Sequence, residues 1–203
     1  MSFITFEGID GSGKSTQARR LADWLTGQGW DVVMTREPGG SAGAEQIRKL
    51  VLEGAPDRWS AETELLLFTA ARRDHLERLI DPALQQGKVV VCDRFIDSTR
   101  VYQGLRRESL RSHVDALHDL MIGREPDLTL LIDTDPERGL DRAVARGGDE
   151  ARFESFGLDL QQRMRAGFLA LAKTCADRIV VIDGNRDMDA VAADITNVVE
   201  ARL

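Results

Sequence analysis

Gly8-Ile9-Asp10-Gly11-Ser12-Gly13-Lys14-Ser15, followed by Thr16, is the stretch that decides the fold of this chain. It fits G-x-x-x-x-G-K-[ST], a loop whose backbone N–H groups form a nest for anions. Gly11 and Gly13 carry no Cβ, so the backbone can turn sharply and close on phosphate oxygens. Lys14 is placed to reach the β- and γ-phosphates, and the Ser15 hydroxyl to ligate Mg²⁺. Both flanks agree with this reading. Phe3-Ile4-Thr5-Phe6 before the loop is aromatic and β-branched, as a short buried strand is. Ala18, Leu21, Ala22 and Leu25 after it recur on one face of a helix. That helix points its positive end at the phosphates. The stretch predicts a nucleoside-triphosphate site.

The rest of the composition narrows the class. At 203 residues the chain supports one substantial core, and 42% hydrophobic with 30% charged residues is ordinary for a globular protein. A net charge of −7 argues against a nucleic-acid surface, which needs clustered excess Lys and Arg. Cys92 and Cys175 fit neither a metal spacing nor a disulfide framework and read as reduced thiols. No apolar run reaches the length of a membrane span, and Met1-Ser2-Phe3 leads straight into the first strand without a signal peptide. The expectation is a cytoplasmic protein with no membrane and no nucleic-acid partner.

Working outward, five strand-like runs alternate with helical stretches: Phe3–Phe6, Val32–Thr35, Val89–Cys92, Leu128–Ile132 and Ile179–Ile182. The last three are continuous Val/Ile/Leu-rich runs, as in strands covered on both faces. Helices between strands imply right-handed crossovers and a parallel sheet. The prediction is one α/β domain over residues 1–203. Thr35-Arg36-Glu37-Pro38-Gly39-Gly40-Ser41 makes a rigid turn at the carboxyl end of the second strand, the edge where open α/β sheets bind ligands. Glu62 to Gln86 reads as one long helix on which Phe68 and Arg72 share a face. Phe68 is either a core aromatic or a platform for a planar base, with Arg72 at the base's edge. Asp93 closes the third strand as the second acidic element expected near Mg²⁺, with Arg94 beside it for another phosphate. Ser98-Thr99-Arg100-Val101-Tyr102-Gln103-Gly104 then packs hydroxyls and an amide just past that strand. Leu110, Val114, Leu117 and Met121 form an apolar stripe flanked by His113 and His118, and all three histidines read as structural or surface residues. Asp133 and Asp135 look like a carboxylate pair, but Asp135-Pro136 has the chemistry of a helix start. The segment at about 142–154 is glycine-rich, with Arg142, Arg146 and Arg152, and reads as a mobile lid bringing positive charge over the phosphates.

Taken together, the loop at 8–16, Thr35 to Gly40, Phe68-Thr69-Ala70-Ala71-Arg72, Asp93-Arg94-Phe95, Ser98 to Gly104 and Arg146-Gly147 resemble the bacterial thymidylate kinases over essentially the whole chain. The resemblance implies a P-loop NTPase fold, a three-layer α/β/α arrangement of five parallel strands surrounded by helices, with a lid. It implies phosphorylation of dTMP to dTDP by MgATP, a step in dTTP synthesis for DNA replication, by a homodimer formed through the 109–122 helix. Gly8, Ile9, Asp10, Gly11, Ser12, Gly13, Lys14, Ser15 and Thr16 would bind ATP, and Ser15 and Asp93 the Mg²⁺. Asp10 would sit near the acceptor's sugar and phosphate. Phe68 would stack on thymine while Arg72 and Gln103 read its polar edge. Arg94, helped by Glu37 and Arg48, would hold the acceptor monophosphate, with Ser98 nearby. Tyr102 would close against C2′ of the sugar and disfavour a ribose. Family members without an arginine in the P-loop supply it from the lid, and Gly11 stands at that place here. Arg146, with Arg152 second, is therefore the expected lid arginine, joining Lys14, Asp10 and Arg94 as catalytic groups. The rival readings are a P-loop kinase for another acceptor and a nucleotide-dependent switch, against which stands the lack of an Asn-Lys-x-Asp guanine-reading element.

Overall fold

In the computed structural model, which describes residues 2–55, 58–106, 110–146 and 157–202, the period-two alternation of the strands builds three layers. The strands are β1 (Ser2–Glu7), β2 (Val32–Arg36), β3 (Val89–Asp93), β4 (Leu128–Asp133) and β5 (Ile179–Asp183). They form one all-parallel sheet in the order β2-β3-β1-β4-β5. The five strands read from sequence are these five, extended by one residue at one or both ends. Ile4, Phe6, Val89, Val91, Leu130 and Ile132 face one way, onto α1 (Lys14–Gly27) and the last helix. Phe3, Val90 and Cys92 face the other way, onto α3 (Ala61–His75) and α6 (Leu110–Met121). Leu131 and Ile9 join a third cluster with α5 (Ile96–Arg106) and α8 (Gly157–Thr174). Because both faces are covered, the strands are apolar at successive positions.

β1 lies between β3 and β4, so the loop that follows it opens at the centre of the sheet's carboxyl edge. Helices α2 (Ala42–Leu52), α7 (Pro136–Arg146) and α9 (Met188–Glu200) complete the covering layers. Two elements differ from the expectation. The stretch read as one helix from Glu62 to Gln86 is α3, then a π-helical turn at Leu76–Ile80, then α4 (Asp81–Gln85). Pro82 has no N–H and stands at the start of α4, where a widened turn accommodates it. Residues 98–104, read only as a polar segment, lie on α5. That helix buries Asp97, Thr99 and Gln103 among Ile96 and Val101, so polar residues interrupt its apolar face. Asp97 is held by both terminal nitrogens of Arg178, at 2.7 and 2.8 Å, and Arg178 also donates to Thr129 on β4. A buried polar network therefore ties α5 to the sheet.

The loop itself is seated by backbone contact. A Cβ on Gly11 would lie 1.9 Å from the carbonyl oxygen of Gly139, on α7, and Gly11 has φ +74°. In the reverse direction, a Cβ on Gly139 would lie 2.9 Å from the Asp10 carbonyl and 3.0 Å from Ile9 Cδ1. Helix α7 thus rests on the loop with no side chain between them. Gly139→Ala is expected to cost about 1–3 kcal/mol by overpacking, seen as a lower denaturation midpoint with the slope unchanged.

Candidate active site

The site grows from the end of β1. Gly8, Gly11 and Gly13 have φ of +143°, +74° and +92°, and Gly13 caps the start of α1. The first amides of α1 have no intrahelical acceptor and point into the nest. Lys14 is buried, with Nζ 3.1 Å from the Ile9 carbonyl and 3.7 Å from Asp10. Burial, followed by the nearby Arg94 charge, lowers its pKa from 10.5 despite Asp10, and an arriving polyphosphate would add negative charge that favours the ammonium form.

Arg94 is the hinge between this loop and the next cavity. It has φ +71°, an uncommon conformation for a residue with a side chain. Its Nη1 donates to the Gly8 carbonyl at 3.2 Å and to Ser98 Oγ at 2.9 Å. Its Nη2 donates to Asp10 Oδ1 at 2.5 Å and to Tyr102 Oη at 3.2 Å, and Tyr102 in turn donates to Asp10 Oδ2. Burial alone would lower the guanidinium pKa, but Tyr102, Asp10 and Glu7 outweigh it and raise it, so Arg94 stays charged.

Beside Arg94 opens a cleft of about 640 Å³ of open space, counting its solvent-facing mouth. Asp10, Glu37, Arg48, Phe68, Arg72, Arg94, Ser98, Tyr102 and Gln103, singled out from the sequence, all line it. Phe68 is half-buried and belongs to none of the buried core clusters, so it faces the cleft rather than filling the core. Arg72 is buried, with Nε donating to Glu37 Oε2 at 2.7 Å and Nη2 to Thr99 Oγ1 at 2.9 Å; its guanidinium lies over the Phe95 ring. Glu37 therefore holds Arg72 directly, and its other oxygen lies 3.2 Å from His75 Nδ1. Arg48 donates to the Pro38 carbonyl at 2.7 Å. Gln103 is 1% exposed and its Nε2 has no hydrogen-bond partner. A buried donor left unpaired at a cleft wall fits a polar ligand edge.

Pro38, Phe95 and Thr99, read only as parts of motifs without a site role, line the cleft too, and Leu52, which escaped the sequence reading, joins them. Glu7 escaped it too. This buried residue accepts from Phe95 N at 2.9 Å, Ser98 N at 3.1 Å and Ser98 Oγ at 2.6 Å. An acidic residue directly before the Gly8 loop was the available signal.

For a metal, Asp93 Oδ1 is buried without a hydrogen-bond partner, and Ser15 stands at the first turn of α1. An orphaned carboxylate oxygen fits a cation or its water shell. Among the described residues no cluster of three or more His, Cys, Asp or Glu is built for a metal. The donor set suits Mg²⁺, which takes most of its ligands from phosphate and water. Asp135 caps α7, accepting from the Glu137 and Arg138 amides, whereas Asp133 pairs with Arg165 at 2.6 and 2.8 Å. The two are not a carboxylate pair. In the expected lid, positions 142–146 form the last turns of α7. Of Arg146 only the backbone is described, and Arg152 lies outside the described residues. On α6, Leu110 and Val114 are buried in this chain's own core and Leu117 packs against it, which corrects the reading of that stripe as an interface. Leu120 and Met121 are the exposed apolar residues of this helix.

Comparison with known proteins agrees with this geometry. The family model described as thymidylate kinase matches residues 6–195. A thymidylate kinase of Ruegeria pomeroyi is 72% identical over 201 residues, covering 99% of this chain and 95% of that protein. One of Caulobacter vibrioides is 56% identical over 202 residues, covering 99% and 97%. The crystal structure of thymidylate kinase from Ehrlichia chaffeensis superposes with a TM-score of 0.79 at 38% identity, covering 98% of each chain.

Glu7 gives the site a pH signature. Burial, then the like charge of Asp97, pushes its carboxyl up from the ordinary 4.5 to about 7, against the pull of Arg94. A folded-state value above the unfolded one makes the contribution of Glu7 to stability complete below about pH 4.5 and lost as pH rises through about 7. Thermal unfolding of the native protein and Glu7→Gln across this range is expected to show the native protein losing ground between those values and running parallel outside them.

Proposed function

This chain belongs to the thymidylate kinase family, and on that premise we propose how its cleft works. It phosphorylates dTMP to dTDP with ATP, a step in dTTP synthesis. ATP lies along the loop at 8–16, with its phosphates in the nest and Lys14 swung from the Ile9 carbonyl onto the β- and γ-phosphates. Ser15 and Asp93 would hold Mg²⁺, which when bound would neutralise charge on the phosphate oxygens. The dTMP lies in the neighbouring cleft. Thymine stacks on Phe68, and Arg72, oriented by Glu37 and Thr99, presents its remaining donors to the base edge with Gln103 Nε2. Tyr102, held by Asp10, closes against C2′ of the sugar. Arg94, with Arg48 at the cleft wall, grips the acceptor phosphate at the border of the two sites.

An acceptor phosphate oxygen then attacks the γ-phosphorus in line with the departing ADP. A phosphomonoester is mostly doubly ionised at neutral pH, with its second pKa near 6, so no general base is needed. Positioning and charge stabilisation carry the rate. Arg146 of the lid, with Arg152 second, completes the charge around the transferring group. The observation that carries this reading is Arg94, which bonds the donor loop at Gly8 and Asp10 and the acceptor wall at Ser98 and Tyr102.

We assign the working unit as a homodimer, with the outer face of α6 in the interface. Leu120, at 79% exposure, and Met121 supply apolar surface there. The described residues include no helix long and apolar enough to cross a membrane. Two free thiols, Cys92 and Cys175, suit the reducing cytoplasm.

Rates of ADP release with MgATP against dTMP, dUMP, dCMP, dGMP and AMP are expected to favour dTMP strongly. Arg72→Ala should lose kcat/KM for dTMP on the order of 10–100-fold, the worth of a charge-assisted hydrogen bond, and flatten that preference. Preference for another monophosphate would place the wrong base in the cleft. For the dimer, sedimentation of Leu120→Glu is expected to show a one-chain species where the native protein shows two; an unchanged native-like dimer would exclude this face.

A further inference from the structure

Glu7 is a buried acid that the phosphoryl-transfer scheme does not use. It is the last residue of β1, and Gly8 follows it directly. Its Oε1 accepts the Phe95 and Ser98 amides, so a carboxylate 88 and 91 positions away in sequence caps the first turn of α5. Its Oε2 accepts the Ser98 hydroxyl at 2.6 Å. With that proton committed to Glu7, a lone pair of Ser98 Oγ faces Arg94 Nη1 at 2.9 Å. The other guanidinium nitrogen of Arg94 is held by Asp10, three residues beyond Glu7. The end of β1 and the start of the loop thus grip Arg94 from two sides, through Ser98 and directly. They also fix the helix that presents Ser98, Thr99, Tyr102 and Gln103 to the acceptor cleft.

We propose that Glu7 is a positioning residue that locks Arg94 and the first turn of α5 at a fixed offset from the phosphate loop, and so sets the approach of the acceptor phosphate to the γ-phosphorus. The proposal rests on the reading of Arg94 as the group that grips the acceptor phosphate. Capping by Glu7 is suited to this task because both of its oxygens are used and the side chain is 1% exposed, so water does not compete for the bonds. Glu7→Gln keeps the shape but offers an amide N–H₂ where Ser98 donates, so the hydroxyl must turn and its lone pair leaves Arg94. Its effect appears wherever the acceptor phosphate is involved and nowhere else. Thymidine, which fills the base and sugar positions without a phosphate, is the control ligand.

The test compares the native enzyme with Glu7→Gln, Ser98→Ala and the double variant at about pH 8.5, above the titration of Glu7, where it is the carboxylate these contacts require. Readouts are kcat and KM for dTMP, KM for ATP, and the inhibition constant of thymidine against dTMP. Glu7→Gln is expected to lose kcat/KM for dTMP on the order of 10–100-fold, as for a small misplacement of reacting groups. Thymidine inhibition and the ATP KM should stay within about twofold. In the Ser98→Ala background the same change should cost much less, since the coupling runs through that hydroxyl. Equal losses for dTMP, thymidine and ATP, or strictly additive losses in the cycle, would overturn the proposal and leave Glu7 as a packing residue. Should Glu7→Gln fail to fold, Ser98→Ala must by itself show the split between dTMP and thymidine; weakening both alike overturns the proposal too. Arg94→Ala separates the two levels. If it binds dTMP as the native protein does, the phosphate-gripping reading fails first, whereas loss of dTMP binding there with no split in the Glu7 variants fails the inference alone.

Discussion

The cleft depends on one guanidinium largely withdrawn from water, its side chain 17% exposed. Arg94 stands in a strained backbone position and its charge is balanced within the fold by Asp10, with the Gly8 carbonyl, Ser98 and Tyr102 meeting its other terminal N–H groups and Nε left over for a ligand. Burying such a charge costs several kcal/mol before its partners are counted, so the partners must be in place before any ligand arrives. They come from the start of the loop and from one face of α5. The same requirement that keeps a cation buried therefore forces the donor loop and the acceptor wall into register. An anion entering the cleft meets a cation that has already been desolvated, and little reorganisation is left for the reaction step.

A second layer does for the base what this one does for the phosphate. Arg72 is as buried as a core residue, yet it is aimed by Glu37 and Thr99 and stacked on Phe95. Behind it, His75 bridges Glu37 to Thr35 Oγ1, which lies 2.8 Å from Nε2. Recognition is thus supported by a row of polar groups running inward from the cleft, where a looser side chain would have to be ordered by the ligand itself.

How much of this was legible in the residues depends on the distance over which each part is specified. The phosphate loop is local: its glycines, lysine and serine are contiguous, and the strand and helix around it show their own periods. The cleft residues Phe68, Arg72, Arg94, Tyr102 and Gln103 were legible because a family pattern preserves their order along the chain. Glu7 and Leu52 were not, and Thr99 and Pro38 were legible only as members of a motif, since their roles arise only when β1, α2, β3 and α5 meet at one edge of the sheet. Helix α5 went unread because its apolar residues, Ile96, Val101 and Leu105, are interleaved with buried Asp97, Thr99 and Gln103, of which Asp97 and Thr99 find polar partners in the fold. The stripe on α6 misled for the opposite reason. Amphipathic spacing reports that a face is buried, but Leu110 and Val114 bury theirs within the chain, and the apolar residues left outside, Leu120 and Met121, do not repeat.

The contact between Gly11 and Gly139 bears on how such enzymes diverge. With the Gly139 carbonyl 1.9 Å from where a Cβ would begin, position 11 is closed to every side chain, not only to a large one. Placing any side chain there would require α7 to lift away and a new helix seat to be packed before an advantage could be felt. Each single step along that route loses packing first. Positions 11 and 139 are therefore tied to one another across a valley in the landscape of sequences, and a lineage that has closed this contact keeps both glycines.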